Sequence, residues 1–481
     1  MDYIATIGLE VHVQLRTAAK LFCRCPNRYG DAPNQNTCPI CLGYPGVLPV
    51  PNREAIRLTV RTGLMLGATI APYSKFDRKS YFYPDMPKNY QISQYDMPLC
   101  EGGALLIDLP QGGAKRVGII RVHLEEDVAK STHFEQTSGV DFNRAGTPLM
   151  EIVTHPDISS PEEAHAFLSA LKQILTYGGV SDCNMEQGNI RCDSNISVRP
   201  AGQAEFGTKT EIKNMNTFSG VQRALAYEIE RQVEVLRAGG AIFQETRRWD
   251  DPTGATAVMR GKEYAHDYRY FPDPDLMPME LGPEEIDRER AALPELPRAR
   301  QARLIERYGL SPYDAGVLVS DPELSAYFEA AAASPADPKL VANFVINDLL
   351  RELAAAGLPP RQNPVRADQI RELVQLMASG TISSKIAKEV FVAVFQTGRD
   401  PGAIVAERGL VQVQDAEAVR RWVRQAIVEN AAAAEDVRNG KERALARLVG
   451  AVMKESRGKA NPQLVNALLR EELACGGAGQ G

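Results

Sequence analysis

Several features that would point to a particular class of protein are missing from this 481-residue sequence. No apolar run is long enough to cross a bilayer, and no charged and then apolar leader follows Met1. The sequence has neither a G-x-x-x-x-G-K-[ST] phosphate-binding loop nor a G-x-S-x-G nucleophile elbow. We therefore expect no membrane-spanning segment and no signal peptide, and we expect the chemistry to rest on other motifs.

The sequence also lacks a large excess of charge of either sign. Its formal net charge is −6, so any contact with nucleic acid must come from local basic patches. The eight cysteines have no secretory context, and we expect them to stay reduced and not to form a disulfide framework. With 44% hydrophobic and 24% charged residues, the sequence predicts a soluble cytoplasmic protein of two to four domains.

Residues 7–15, I-G-L-E-V-H-V-Q-L, alternate between apolar and polar side chains and predict a half-buried strand. One face of this strand carries Ile7, Leu9, Val11, Val13 and Leu15. The other face carries Glu10 and His12, a carboxylate and an imidazole that lie close enough to hold one divalent cation. The alternative is that these polar residues form only the solvated face of a sheet.

Residues 116–127 repeat this alternation. One predicted face carries Arg121, His123, Glu125 and Asp127, and the other carries Ile120, Val122 and Leu124. The run ends in three consecutive acids, whose mutual repulsion costs stability unless a cation compensates for it. A turn that begins at Asp141 then leads into a short strand that carries Glu151.

Two more alternating runs, residues 188–199 and 208–214, bring further charged side chains to a polar face. The first run places Asp193 there, and the second run places Lys209, Glu211 and Lys213 there. Oxygen ligands suit Mg²⁺, and lysines neutralise phosphate oxygens. Acids and lysines that recur on four strands therefore predict a concave site for a metal ion and phosphate.

Helical periodicity accompanies these strands. Helices are predicted at residues 52–66, 161–177 and 220–238, and the last two would back the sheet. From about residue 284 the sequence becomes helical and alanine-rich, with helices at 369–377 and 384–396 and a final helical block at 416–473. The proline-rich residues 359–364 are the predicted linker within this half.

Four of the cysteines form two close pairs, Cys23-x-Cys25 and Cys38-Pro-Ile-Cys41. Two thiol pairs that are joined by a loop predict a tetrahedral zinc site. Because four thiolates complete the shell of the ion, such a site would be structural and not catalytic. The alternative is four reduced cysteines beside a proline-rich turn.

Aromatic residues and lysines interleave in residues 79–91. Lys79 and Lys88 flank the aromatic side chains Tyr81, Phe82 and Tyr83. Tyr90 and Tyr95 follow shortly after them. Aromatic rings stack on bases and lysines contact phosphates, so a nucleotide or a tRNA end would fit here. The alternative is a loop whose tyrosines only cover a sheet.

Residues 438–470 contain eight basic and two acidic residues, which gives this helical segment a charge of +6. A basic helical tail on an acidic protein predicts contact with RNA. The alternative is a solvated charged face.

Taken together, these motifs resemble those of the GatB family, the B subunits of the glutamyl/aspartyl-tRNA amidotransferases. The resemblance covers almost the whole chain and rests on the order and number of the motifs. The matching stretches, each given with its first residue, are I-G-L-E-V-H-V-Q-L at Ile7, C-P-I-C-L-G-Y-P-G at Cys38, Y-F-Y-P-D-M-P-K-N-Y-Q-I at Tyr81, V-H-L-E-E-D at Val122, D-F-N-R-A-G-T-P-L-M-E-I-V at Asp141, Y-R-Y-F-P-D-P-D-L at Tyr268 and G-K-A-N-P at Gly458.

The resemblance implies an α+β fold with three parts. Residues 1–290 would form a glutamine-synthetase-like cradle built on an antiparallel sheet, with a four-cysteine zinc knuckle at residues 23–41. Residues 291–405 would form a helical domain. Residues 406–475 would form a YqeY-like helical tail that binds tRNA. In this family the zinc site is present in some members only, so the four cysteines are informative here.

The resemblance also implies an activity and partners. The chain would use ATP and Mg²⁺ to activate misacylated Glu-tRNA(Gln), Asp-tRNA(Asn) or both, and would then amidate them. The ammonia would come from glutamine through a partner A subunit, the amidase (glutaminase), and a small C subunit would join the two. Ser383-Ser384-Lys385 resembles an amidase motif only superficially, because it lies in a helical context without nearby glycines.

Strand parity and the resemblance together assign roles to individual residues. The expected catalytic residues are Glu10, His12, Glu125, Lys79 and Lys88. The expected Mg²⁺ ligands are Glu10, His12, Glu125 and Glu151. The expected cofactor-binding residues at the rim of the site are Asp193, Glu211 and Arg269. The expected Zn²⁺ ligands are Cys23, Cys25, Cys38 and Cys41.

Two other functions are compatible with the same residues. A non-catalytic tRNA-binding scaffold would use the zinc knuckle and the basic tail, and its acids would only cap the sheet. A stand-alone ammonia-using ligase would be active without partners. Binding of Mg²⁺ and turnover of ATP separate the first alternative from the enzyme, and activity of the isolated chain separates the second.

Overall fold

The structure is a computed structural model that describes residues 2–109, 111–261, 267–412, 415–456 and 459–475. The chain forms two compact units, residues 1–297 and 298–481. A large sheet with helices makes up the first unit, and helices make up the second. The fold is thus mixed α/β, and the division into three domains at residues 290 and 405 stays a prediction.

The first unit contains strands β1–β17 and helices α1–α4. The strands are β1 (Tyr3–Gln14), β2 (Thr69–Ile70), β3 (Tyr73–Ser74), β4 (Asp77–Ser80), β5 (Tyr90–Ser93), β6 (Cys100–Glu101), β7 (Ala104–Asp108), β8 (Ala114–Glu126), β9 (Lys130–His133), β10 (Ser138–Asp141), β11 (Pro148–Thr154), β12 (Ile190–Pro200), β13 (Thr210–Met215), β14 (Glu245–Asp250), β15 (Ala255–Gly261), β16 (Phe271–Pro272) and β17 (Met279–Glu280). The helices are α1 (Arg53–Met65), α2 (Pro161–Tyr177), α3 (Phe218–Arg237) and α4 (Pro283–Ala291).

Ten of these strands form one sheet in the order β15-β14-β13-β12-β1-β11-β8-β6-β2, with β7 also paired to β8. The described neighbours are antiparallel except β13 and β14, which run parallel. A small sheet of β16, β4 and β5 contacts β8 through β5. The predicted antiparallel sheet is therefore present, with one parallel pair.

The buried core of the first unit lies between the large sheet and helices α1, α2 and α3. On β1 the alternate residues Ile7, Leu9, Val11 and Val13 are fully buried in this core. Because side chains alternate across a strand, Glu10 and His12 lie on the opposite face of the sheet, which we call the open face. The parity predicted from the sequence is correct for this strand.

The predicted helices of this unit are present. Ser160 caps α2 by accepting a hydrogen bond from the backbone N–H of Glu163, and Pro161 occupies its first turn. Asn52 caps α1 in the same way through the N–H of Glu54. These local signals explain why the helix boundaries lie within two residues of the predicted ones.

One predicted position on β8 is wrong. Ile120 was expected on the apolar face with Val122 and Leu124, but it is 42% exposed. The pairing of β8 with β11 shifts register between Val153, opposite Arg121, and Thr154, opposite Ile119. This irregularity rotates Ile120 away from the core.

The second unit consists of helices α5–α16. These are α5 (Pro297–Tyr308), α6 (Pro312–Leu318), α7 (Pro322–Ala331), α8 (Pro338–Asn343), α9 (Leu350–Ala356), α10 (Ala367–Ala378), α11 (Ser384–Thr397), α12 (Pro401–Glu407), α13 (Ala416–Glu429), α14 (Ala431–Arg438), α15 (Arg443–Glu455) and α16 (Pro462–Cys475). A π-helical segment, Phe344–Leu349, joins α8 to α9, and a short 3₁₀ turn, Pro360–Gln362, follows α9.

This unit contains two buried cores, one from Leu304 to Val405 and one from Val419 to Leu473. Leu353 and Val365, on either side of the proline-rich residues 359–364, pack into the same first core. The prediction that these prolines form a linker is therefore wrong. Among the described residues, no helix combines the length and the apolar character that crossing a membrane requires.

Candidate active site and metal centres

A row of charged side chains crosses the open face of the sheet at the level of His12. On β1, His12 lies directly opposite Arg191 of β12 on one side and Glu151 of β11 on the other. Glu151 in turn lies opposite His123 of β8. Four adjacent strands thus place cationic and anionic groups side by side, as the repeated alternation in the sequence predicted.

His12, Glu125 and Glu151 form the tightest part of this row. Their ligand atoms all lie within 4.8 Å of one another. Nδ1 of His12 is 3.5 Å from Oε1 of Glu125, which is too long for a good hydrogen bond, and this buried nitrogen has no other partner among the described residues. One nitrogen and two carboxylates that converge in this way fit a divalent cation.

His123 is a member of this site to which the sequence analysis gave no role. It is buried, and its Nε2 lies 3.1 Å from Oε2 of Glu151 and 3.7 Å from Oε2 of Glu125. Ser93 of β5 also donates a hydrogen bond to Oε2 of Glu125, at 3.0 Å. Strand parity had placed His123 on the open face, so the signal was present, but its partners were not visible in the sequence.

The charges of this cluster shift the pKa values of its members. Burial alone would lower the pKa of His12 and His123, but the nearby carboxylates outweigh burial and raise both, that of His123 to about 9. Burial opposes ionisation of Glu125 and Glu151, yet the two imidazoles hold both pKa values below the usual range, that of Glu151 at about 2. Both carboxylates are therefore anionic at neutral pH.

The three consecutive acids at the end of β8 point to three different partners. Glu125 faces the two histidines. Glu126 forms an ion pair with Lys88 and accepts a hydrogen bond from the backbone N–H of Ile92. Asp127 accepts from Arg191 at 2.8 Å and lies 3.7 Å from Arg144. The expected repulsion among the acids is thus relieved largely by the cations of this chain.

Glu10 belongs to a second group of charges, beside the three-residue cluster. It lies opposite Asp193 of β12, and its Oε1 accepts a hydrogen bond from Asn195 at 2.9 Å. Lys213 forms ion pairs with Asp193 and with Glu211, the latter at 3.1 Å. Burial, followed by the charge of Glu151, raises the pKa of Glu10. The structure thus brings Glu10, Asp193 and Glu211 together around a lysine that the sequence analysis did not assign.

The predicted lysines lie in different places. Lys79 of β4 is half-buried, with its Nζ 5.1 Å from the ring centre of Tyr268. Burial alone would lower its pKa, but Glu125 and Glu151 raise it, so Lys79 lies within electrostatic reach of the cluster. Lys88 is bound to Glu126 and not to the cluster. Arg269 is exposed, with φ of 45°.

The four predicted zinc ligands also come together. The Sγ atoms of Cys23, Cys25, Cys38 and Cys41 all lie within 4.8 Å of one another. A hydrogen bond from Cys23, aided by Lys20, lowers the pKa of Cys41 to about 4, while burial raises that of Cys25 to about 11. Four thiols that lie this close together fit a divalent cation that would stabilise all four as thiolates.

Lys20 is an unexpected neighbour of this cluster. Its side chain is almost completely buried, and its Nζ donates to Sγ of Cys41 at 3.6 Å and to the carbonyl of Phe142 at 3.1 Å. A buried ammonium is stable only beside an anion, so its position favours an ionised Cys41. Sequence patterns gave no signal for this contact.

The loop between the cysteine pairs is fastened to the turn at residues 141–147. The backbone N–H of Asn34 donates to Oδ1 of Asp141 at 3.0 Å, and Oδ1 of Asn34 accepts from the N–H of Phe142 at 2.8 Å. The Asn143 side chain accepts from the N–H of Asn36 and donates to the carbonyl of Ala32, both at 2.8 Å. The same turn leads into β11, which carries Glu151.

The basic tail exposes a row of cations on α15. Arg443, Arg447 and Lys454 are all exposed. Two other cations of the predicted basic segment are ion-paired, Lys441 with Asp436 at 2.8 Å and Arg470 with Glu442 at 3.2 Å. Gly458, with which the G-K-A-N-P motif begins, lies outside the described residues.

Comparison with known proteins agrees with this arrangement. Residues 5–287 match a family model described as the GatB/GatE catalytic domain, and residues 326–473 match one described as the GatB domain. Three relatives are named as the B subunit of aspartyl/glutamyl-tRNA(Asn/Gln) amidotransferase. The relative from Carboxydothermus hydrogenoformans is 54% identical over 98% of this chain and 99% of its own length. The relative from Moorella thermoacetica is 52% identical over 98% and 100%, and that from Methylacidiphilum infernorum 53% over 98% and 99%. Matched in this way over almost its whole length, the chain belongs to the GatB family.

Proposed function

We propose that this chain is the B subunit of an aspartyl/glutamyl-tRNA amidotransferase. In that role it amidates glutamate or aspartate that is esterified to tRNA, in an ATP-dependent reaction. The ammonia is released from glutamine by the A subunit, which is an amidase, and a small C subunit completes the complex. The observation that carries this proposal is the convergence of His12, Glu125 and Glu151 on the open face, with Lys79 within electrostatic reach of the two carboxylates. A site of this composition suits phosphoryl transfer, in which a protein mainly positions charges.

A carboxylate is a poor electrophile at neutral pH, so the side chain of the esterified amino acid must be activated before ammonia attacks it. ATP would transfer its γ-phosphoryl group to the carboxylate and leave as ADP, ammonia would then displace inorganic phosphate to form the amide, and Mg²⁺ would supply positive charge for the transfer. His12, Glu125 and Glu151 would hold the cation, and Lys79 would neutralise phosphate oxygens.

The other predicted residues fit around this centre. Glu10, with Asp193 and Glu211, would form one rim of the nucleotide site, where Lys213 already balances two of the three carboxylates. Arg269 is exposed and would contact phosphate from the opposite rim. Lys88 would reach phosphate only by leaving its ion pair with Glu126.

We also propose how the chain is divided. Residues 1–290 would form the glutamine-synthetase-like cradle, residues 291–405 a helical domain and residues 406–475 a YqeY-like tail. The tail would bind tRNA through the exposed cations of α15. Because the proposed substrates are aminoacylated tRNAs, we propose that the protein is cytoplasmic.

The four cysteines are proposed to hold one structural Zn²⁺ ion. Four thiolates would complete its tetrahedral shell and leave no position for substrate. Lys20 would offset part of the negative charge of that shell.

The non-catalytic scaffold is the less favoured alternative, because the family model that covers the sheet describes a catalytic domain. The test is Mg²⁺-dependent ATP cleavage and amidation by the reconstituted heterotrimer, with His12→Ala compared with wild type. We expect both activities to fall, because the cation loses its nitrogen ligand. His133→Ala, which changes an exposed histidine in the β9–β10 hairpin, is the matched control. Unchanged ATP cleavage in His12→Ala would favour the scaffold.

A further inference from the structure

Three tyrosines that the proposed reaction leaves without a role lie at the edge of the site. Tyr95 and Tyr270 are stacked, with ring centres 4.2 Å apart and planes only 11° from parallel. Tyr268 meets Tyr270 edge to face, with ring centres 6.2 Å apart. We call these three residues the tyrosine ladder. Its outermost ring, Tyr95, is 53% exposed, so one face of the stack is open to a ligand.

The inner end of the ladder lies at the proposed catalytic centre. Nζ of Lys79 lies 5.1 Å from the ring centre of Tyr268, and the charges of Lys79, Glu125 and Glu151 all act on Tyr270. The outer end of the ladder belongs to a part of the chain that also reaches this centre. The hydroxyl of Ser93 donates to Glu125, and Tyr95 follows two residues later, so their Cα atoms are at most about 7 Å apart.

We propose that the tyrosine ladder binds the unpaired 3′ end of the substrate tRNA, with its terminal base stacked on Tyr95. This proposal rests on the proposed function and adds a binding subsite to it. The amino acid is esterified to the last ribose, so when its carboxylate lies at the cation site the terminal base must lie about one nucleotide away. The ladder begins at that centre and ends in the exposed ring of Tyr95, which belongs to a residue only two positions after Ser93, a partner of Glu125.

The chemistry of the ladder favours a base over other occupants. A base has two flat π faces and extends a stack of parallel rings without needing a sequence-specific hydrogen bond. Tyr81 meets Tyr268 edge to face, with ring centres 6.2 Å apart, and the next two residues in the chain, Phe82 and Tyr83, are exposed. The exposed residue Arg269 lies in the chain between Tyr268 and Tyr270. Aromatic faces beside a cation suit a single-stranded nucleic acid, whose bases stack and whose phosphates are anionic.

The adenine of ATP offers the same flat surface, so the test must distinguish stacking of the terminal tRNA base on Tyr95 from stacking of the adenine of ATP. The reconstituted heterotrimer is titrated with a misacylated tRNA whose terminal base is replaced by fluorescent 2-aminopurine, because stacking quenches its emission. Amidation is measured in parallel while misacylated tRNA and ATP are varied independently. The variants are Tyr95→Ala, Tyr95→Phe and, as control, Phe134→Ala, which removes an exposed ring in the β9–β10 hairpin.

We expect quenching on binding to the wild type and its loss in Tyr95→Ala. The KM for misacylated tRNA should rise roughly 5- to 150-fold in Tyr95→Ala, which is the range for removal of one base–aromatic stack, while the KM for ATP stays unchanged. Tyr95→Phe keeps the ring and should retain both the quenching and the wild-type KM. Phe134→Ala should behave as wild type.

Three results would overturn the proposal. A rise in the KM for ATP alone would assign the ring to the adenine of the nucleotide. Equal damage from Tyr95→Phe and Tyr95→Ala would assign the effect to the hydroxyl group. Undiminished quenching in Tyr95→Ala would place the terminal base elsewhere. Glu125→Gln in the same assays keeps the two ideas apart, because full activity in that variant would contradict the cation site and leave the stacking result intact.

Discussion

Nε2 of His123 lies 3.1 Å from Oε2 of Glu151, and both side chains are buried in the row of charges that crosses the open face. Oε2 of Glu125, which belongs to the same strand β8 as His123, lies 3.7 Å from the same nitrogen. The imidazole of His123 is therefore within hydrogen-bonding distance of one oxygen of Glu151, and it places a cationic group close to one oxygen of Glu125. Such outer partners of metal ligands fix the orientation of the ligands.

His123→Leu is therefore expected to weaken cation binding without removing a ligand. The affinity of the heterotrimer for Mn²⁺, measured by the loss of free-ion electron paramagnetic resonance signal, should fall about 10- to 100-fold. His123→Gln supplies a replacement N–H donor and should recover part of the loss. If a folded His123→Leu variant binds Mn²⁺ as the wild type does, His123 does not position these carboxylates.

The cysteine cluster predicts one tightly held zinc ion per chain. Elemental analysis of protein purified without added metal should find it, and Cys38→Ser should lose it. Because the loop between the cysteine pairs is hydrogen-bonded to the turn at residues 141–147, zinc loss should also speed backbone hydrogen exchange in that turn. We expect local stability to suffer more than turnover, because the site is closed.

A zinc-free wild-type protein with four titratable thiols would contradict the zinc site. Unchanged exchange at residues 141–147 after loss of zinc would contradict only the coupling to the turn.

The cations on α15 predict a salt-dependent contribution to tRNA binding. A variant with Arg443, Arg447 and Lys454 all changed to Gln should bind tRNA more weakly, because fewer cations remain to pair with phosphates. The slope of log K against log salt should fall by about one for each cation–phosphate pair that the substitutions remove. Lys172→Gln, which changes an exposed lysine on α2, is the control. If the triple variant binds tRNA with the same affinity and the same salt dependence as the wild type, these cations form only a solvated charged face and do not bind tRNA.

The sequence allowed the open face to be predicted because alternation is a local property. The buried residues Ile7, Leu9 and Val11 fix the parity of β1, and with it the direction of Glu10 and His12. The four cysteines were equally visible, because their spacing alone indicates a metal site.

The partners across strands could not be predicted, because strand register depends on pairing between distant parts of the chain. Nothing local to His123 shows that it lies opposite Glu151, and nothing local to Lys88 shows that Glu126 binds it. The exposure of Ile120 has the same origin, since an irregular pairing in β8 and β11 interrupts an alternation that looks continuous in the sequence.

The central claim is that Glu125 helps to hold the cation that activates the carboxylate, and Glu125→Gln tests it most directly. The variant keeps the shape of the side chain and removes a charged oxygen ligand. Amidation of misacylated tRNA by the heterotrimer is measured with glutamine and, separately, with ammonium as nitrogen donor, and ATP cleavage is followed in both. Glu135→Gln, which changes an exposed carboxylate, is the control. Because activation precedes attack by ammonia, amidation and ATP cleavage should fall by a large factor with either donor. Rescue by ammonium, or near-normal ATP cleavage, would contradict the assigned role.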